Sequence, residues 1–140
     1  MILTSALHTY FQIGNINKIS ISGFEGVEYI DKTDNNQMKK QTGNIIFNSE
    51  VNRIYFNSAA ESVIHDPVLK RKIRVKHRDS NSIVVWNPWI EKCELNPDME
   101  KSDYLKMVCV ETVKTGSDRI ELAPGTKFEY AAAISTERFK

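Results

Sequence analysis

A single carboxylate, Glu111, stands in the run Val108-Cys109-Val110-Glu111-Thr112-Val113, whose other members are small or β-branched. Such a run reads as a strand buried on both faces. A glutamate rarely enters one without a partner or a task. Its charge is costly to bury, so the carboxyl must be hydrogen-bonded, raised in pKa or set at the floor of a cleft. Two readings stay open from the run alone: a glutamate at a strand edge, and a general base. The other group that could move protons is His8. In Ala6 to Phe11, alternation sets His8 and Tyr10 on one strand face, where a histidine beside aromatics also reads as a satisfied core residue. The three histidines, His8, His65 and His77, are widely separated and show no ligand pairing, and Cys93 and Cys109 form no CxxC, so no metal site is expected. Cys109 reads as a buried small hydrophobe, and no disulfide to Cys93 is expected.

The 140 residues allow one domain, 1–140, and a net charge of +1 lacks the basic excess that nucleic-acid or membrane-surface binding usually leaves. No apolar run reaches membrane-spanning length, and Met1 to Ser5 has neither the basic region nor the apolar core of a signal peptide. A cytoplasmic protein that binds neither nucleic acid nor membrane is therefore expected.

The elements that must hold Glu111 and His8 are strands. After Ala6 to Phe11, alternation or β-branched content predicts strands at Ile16 to Ser22, Val27 to Asp31, Ile45 to Phe47, Val51 to Phe56 and Ser62 to His65. Leu69 to His77 alternates basic and apolar residues, which fits an antiparallel strand with one wet face better than a polyanion strip, since no aromatics are interleaved. Further strands are expected at Ile83 to Trp86, Tyr104 to Val113, Ile120 to Leu122 and Phe128 to Ser135. Lys32 to Asn44 holds one apolar residue, Met38, and reads as a solvated loop, while Leu95 to Met99 reads as irregular. Short strands at regular spacing without a helix of convincing length predict an all-β antiparallel sandwich.

Several strings then line up in order: Ala6-Leu7-His8-Thr9-Tyr10-Phe11, Ile30-Asp31-Lys32, Val51-Asn52-Arg53-Ile54-Tyr55, Val84-Val85-Trp86-Asn87-Pro88-Trp89-Ile90-Glu91-Lys92 and Met107-Val108-Cys109-Val110-Glu111. Together they resemble the aldose 1-epimerase superfamily, and within it the hexose-6-phosphate mutarotase (glucose-6-phosphate 1-epimerase) branch. The match covers only the C-terminal half of such a protein. The resemblance implies the C-terminal part of a galactose mutarotase-like β-sandwich. It also implies that the half supplying a further active-site histidine and the phosphate-gripping arginines lies outside this chain. A half-sandwich is expected to expose strand edges and to self-associate or to need its missing half.

The same resemblance implies roles for particular residues. His8 corresponds to the histidine that protonates the ring oxygen, and Glu111 to the base that takes the proton of the anomeric hydroxyl. At Asn52 the family pattern has an aspartate that binds a sugar hydroxyl or steadies the histidine; asparagine keeps the hydrogen bonds and loses the charge. Trp86 and Asn87 are candidates to line the sugar cleft, with a packed indole in a turn as the other reading, and Arg53 is expected to be structural. No cofactor is implied. The expected function is interconversion of the α and β anomers of a hexose 6-phosphate, weak or absent in this chain alone. A non-catalytic carbohydrate-binding sandwich and a purely structural partner are the competing readings.

Overall fold

The computed structural model describes residues 1–58 and 60–139. Along the chain run strands β1 (Ile2–Leu3), β2 (Ser5–Leu7), β3 (Tyr10–Gln12), β4 (Ser20–Ser22), β5 (Glu28–Asp31), β6 (Gln37–Lys40), β7 (Val51–Tyr55), β8 (Glu61–Asp66), β9 (Arg71–Arg78) and β10 (Ser82–Asn87). A short helix α1 (Trp89–Leu95) follows, then β11 (Met107–Lys114), β12 (Ile120–Glu121) and β13 (Ala131–Arg138). Every strand pairing among the described residues is antiparallel.

A seven-stranded sheet has the order β2-β11-β10-β7-β5-β6, with β3 also paired to β11, and a four-stranded sheet has the order β13-β9-β8-β4. The two pack face to face, as expected of an antiparallel sandwich. Strand alternation sorts the large sheet into two faces. Its inner face carries Val108, Val110, Ile83, Val85, Val51 and Tyr55, which cluster with Ile21, Ile64, Ile73 and Val75 of the small sheet. Fully burying each aliphatic side chain of this kind contributes about 1.5–3 kcal/mol. The outer face carries Glu111, Val84, Ile54 and Ile30 side by side in register across four strands.

β11 sits between β10 and the β2/β3 pair, and all eight of its residues are buried. The expectation of a doubly buried strand around Glu111 therefore holds. The basic-apolar segment is β9, with Ile73, Val75 and His77 turned inward and Lys76 and Arg78 exposed.

Several local expectations need correction. The segment 32–44 is not wholly a loop: β6 pairs with β5 along a hairpin whose Asn35 and Asn36 take left-handed φ values of 50° and 56°. Asparagine tolerates that conformation better than most residues. Buried Asp31 clamps the hairpin by accepting hydrogen bonds from the Thr33 amide and hydroxyl and from Lys39 Nζ at 2.8 Å. β6 lies at the sheet edge with mostly exposed side chains, so it joins through backbone bonds and leaves little hydrophobic pattern.

A second correction is α1, which buries only Cys93 and so shows no amphipathic stripe, although Pro88 at its N-cap is a helix-start signal. The predicted strand at Ile16 to Ser22 shrinks to β4, Ile45 makes a single bridge to Ile21, and the last strand begins at Ala131. Tyr104 lies in a 3-10 turn that leads into β11. Cys93 and Cys109 are both free and buried.

Candidate active site

The predicted strand at Ala6 to Phe11 is split. Its two parts, β2 and β3, pair with β11 in one continuous register, Leu7 opposite Thr112 and Tyr10 opposite Cys109, so that His8 falls beside Glu111. Between them the Thr9 amide turns back to Leu7 O at 2.9 Å. His8 therefore lies outside the regular strands while keeping the position that the register gives it.

His8 Nε2 approaches Glu111 Oε1 to 3.5 Å, with the histidine side chain 48% exposed and that of the glutamate 8%. The separation is longer than an ordinary hydrogen bond. Burial among Val84, Ile54 and Val113 raises the Glu111 carboxyl above the usual carboxylate range, and the nearby His8 imidazole opposes that rise. The carboxyl opens to a surface groove of about 350 Å³ lined by Ala6, Ile54, Val84, Glu111, Val113 and Thr115. Of the fates open to a buried glutamate, this one has a shifted pKa and sits on the floor of a cleft.

Aromatic rings frame the pair. His8 stacks on Tyr10 with centroids 4.8 Å apart and planes 9° apart, and Trp86 meets both rings edge-on at 5.9 and 6.1 Å. Trp86 lies in register with Cys109 on one side and Asn52 on the other. Asn52, Trp86, Cys109 and Tyr10 thus form a second row on the same outer face, next to the row that holds Glu111. With neighbouring strands about 4.8 Å apart, Asn52 is separated from β11 by β10 and its indole. Three strand spacings, about 14 Å, therefore separate Asn52 from His8 across the sheet, too far for direct contact.

Asn87 does not join the group. It is fully buried, its Nδ2 donates to Tyr104 O and Met107 O at 2.9 Å, and its Oδ1 accepts the Trp89 amide at 2.9 Å. Those bonds occupy the amide in tying β10 to α1 and to the turn before β11. The position corrects the expectation that Asn87 lines a cleft. Arg53 also faces away, donating to Gln41 Oε1 at 3.1 Å and covering the Tyr29 ring at 4.8 Å.

Two residues on the site face lay outside the expected site. Tyr10 stacks on His8, and its hydroxyl pKa is raised by burial and by Cys109 and Glu111. Cys109 is wholly buried, and burial together with Glu111 pushes its thiol well above the usual range. Cys109 Sγ, a His8 ring nitrogen and a Glu111 oxygen all lie within 4.8 Å of one another. Strict i, i+2 alternation from Glu111 would have placed Cys109 here. The expectation of no metal site rested on histidine spacing along the chain, which says nothing about this grouping.

Comparison with known proteins extends across the chain. The family model described as Aldose 1-epimerase matches residues 1–135. A protein named "Putative glucose-6-phosphate 1-epimerase" from Salmonella typhimurium is 40% identical over 111 residues, covering 79% of this chain and 37% of the relative. The like-named protein of Cenchrus ciliaris is 31% identical over 133 residues, covering 94% of this chain and 40% of the relative. The crystal structure of a "putative mutarotase (YeaD)" from Salmonella typhimurium superposes with a TM-score of 0.92 at 33% identity, covering 99% of this chain and 46% of that one. The chain thus spans less than half the length of these relatives.

Proposed function

The chain belongs to the aldose 1-epimerase family, and from that premise we propose that His8 and Glu111 carry out the proton transfers of anomer exchange on a hexose 6-phosphate. The observation that carries this reading is a buried carboxyl with a raised pKa, 3.5 Å from a half-exposed imidazole, on a face flanked by aromatic rings.

Exchange of anomers requires opening the hemiacetal. Glu111, as carboxylate, takes the proton from the anomeric hydroxyl; the O–H electrons form the C1=O1 carbonyl while the C1–O5 bond breaks. His8, as imidazolium, gives O5 its proton and becomes neutral. Rotation about C1–C2 presents the other carbonyl face. Reclosure returns each proton along the same route and restores both groups. A carboxyl raised in pKa by burial and a half-exposed imidazole beside it suit these two tasks. Stacked or edge-on rings such as Tyr10 and Trp86 offer apolar faces to sugar CH groups, and Asn52 offers donors and an acceptor to a hydroxyl.

The chain spans 37% and 46% of the relatives described above, so this reading assigns it part of a site, with the phosphate grip supplied by sequence outside it. The test is anomer exchange of glucose 6-phosphate, followed by NMR saturation transfer, on this chain and on a form extended at its N-terminus. Exchange in the extended form that falls by about 10²-fold or more in Glu111→Gln is expected. Sugar binding without exchange in a folded extended protein would overturn the catalytic reading in favour of a carbohydrate-binding module.

A further inference from the structure

The proton-transfer scheme leaves Cys109 without a task, although its buried sulfur lies within 4.8 Å of a His8 ring nitrogen and a Glu111 oxygen. We propose that His8, Cys109 and Glu111 form a three-ligand site for a thiophilic divalent cation of the zinc class, with its fourth position open to the groove. The donor set is chemically apt: an imidazole nitrogen, a sulfur and a carboxylate oxygen are the ligand types such ions take, and three protein ligands with one open position make a recurrent zinc arrangement.

Geometry supports it. Zn–N and Zn–O bonds of about 2.0–2.2 Å and a Zn–S bond of about 2.3 Å place tetrahedral neighbours roughly 3.3–3.6 Å apart. The His8 Nε2–Glu111 Oε1 separation of 3.5 Å is already of that size. The sulfur stands within 4.8 Å of both ligand atoms, so closing the triangle needs a shift of about an ångström. Side-chain rotation of half-exposed His8 and of the Glu111 carboxyl can supply that shift without moving the backbone of β11.

Charge also balances. On binding, the Cys109 thiol gives its proton to the buffer, and thiolate plus carboxylate neutralise the doubly positive ion. A neutral cluster is far less costly in this apolar setting than the bare carboxylate. An ion held here ties up both groups of the proposed proton transfer, so the site is inhibitory. That consequence rests on the function proposed above; the binding itself does not.

The experiment titrates the reduced 140-residue protein with Zn²⁺ by calorimetry and with Cd²⁺ by its thiolate charge-transfer absorption. One ion per chain is expected, with an absorption band that disappears in Cys109→Ser and persists in Cys93→Ser. The Cys93 thiol donates to Glu100 O in a separate part of the fold, so its loss serves as the control. Zinc affinity should fall by at least about 10-fold in His8→Gln, a change at a half-exposed position that leaves the fold intact, and similarly in Glu111→Gln.

No binding, a band that survives Cys109→Ser, or an affinity unchanged in His8→Gln would each overturn the proposal. Zinc binding without anomer exchange in the extended protein would leave the metal site standing and remove the catalytic reading. Exchange that zinc does not touch, in a protein that binds no zinc, would do the reverse.

Discussion

Two histidines meet the same strand from opposite sides, one residue apart. His8 faces Glu111 on the outer side of β11, half exposed and 3.5 Å from a carboxyl. His77, on β9 of the small sheet, meets Thr112 on the inner side, with Nδ1 2.7 Å from the Thr112 hydroxyl and Nε2 3.1 Å from the Ser62 hydroxyl. Burial lowers its pKa to about 4, so it is neutral at ordinary pH with both ring nitrogens satisfied. The comparison shows that residue type decides little here. A histidine whose hydrogen bonds are complete in a dry interface fastens two sheets. A histidine left at the edge of water, beside a carboxyl it does not fully bind, keeps its ring within reach of solvent.

The comparison can be broken from either side. The largest effect is expected on the outer face: Glu111→Gln should lower anomer exchange in the N-terminally extended protein by about 10²–10⁴-fold, with its unfolding midpoint in denaturant unchanged. His77→Ala should do the opposite, leaving two buried hydroxyls unpaired and a cavity between the sheets. A loss of roughly 3 kcal/mol in chemical denaturation is expected, with the site's own groups untouched.

The pH dependence sharpens the same contrast. The folded pKa of His77, about 4, lies below the ordinary value of 6.5, so the unfolded chain binds more protons between these limits. Stability from this residue is therefore complete above about pH 6.5, falls as pH drops toward 4, and amounts to roughly 3 kcal/mol in all. Denaturation curves across that range should lose this slope in a folded variant with His77 replaced by a non-titrating residue.

Smaller effects are expected from single contacts. Thr112→Val removes one hydroxyl partner while filling nearly the same volume, for a cost of about 1–2 kcal/mol. Asn52→Asp, set two strands from the pair, should move KM for the sugar several-fold in the extended protein and leave kcat in place; an equal change in kcat would mean that its charge reaches the proton-transfer groups.

The legibility of these features follows from where their information lies. Alternation along Val108 to Val113 was enough to bury Glu111, and alternation along Ala6 to Phe11 put His8 and Tyr10 on one face. The antiparallel β architecture followed from the spacing of such segments, and the family from strings such as Trp86-Asn87-Pro88-Trp89. What escaped depends on partners far away in the chain. The His77–Thr112 bond crosses between sheets at a separation of 35 residues and leaves no local pattern. β6 is an edge strand held by backbone bonds, and α1 buries one side chain. Asn87 was misplaced because a polar residue after a tryptophan looks the same whether it faces a cleft or caps a turn; its three bonds decide the matter.

The turn at Thr9, which lifts His8 out of the regular strand pairing, has a consequence for how this protein can change. The sheet is zipped by Leu7 on one side and Tyr10 on the other, and neither bond pattern passes through the imidazole. Substitution at this one position can therefore change the group presented to Glu111 while the sheet keeps its register. The bonds that hold the sheet and the side chain set beside Glu111 are separate at that point, and selection can act on one without disturbing the other.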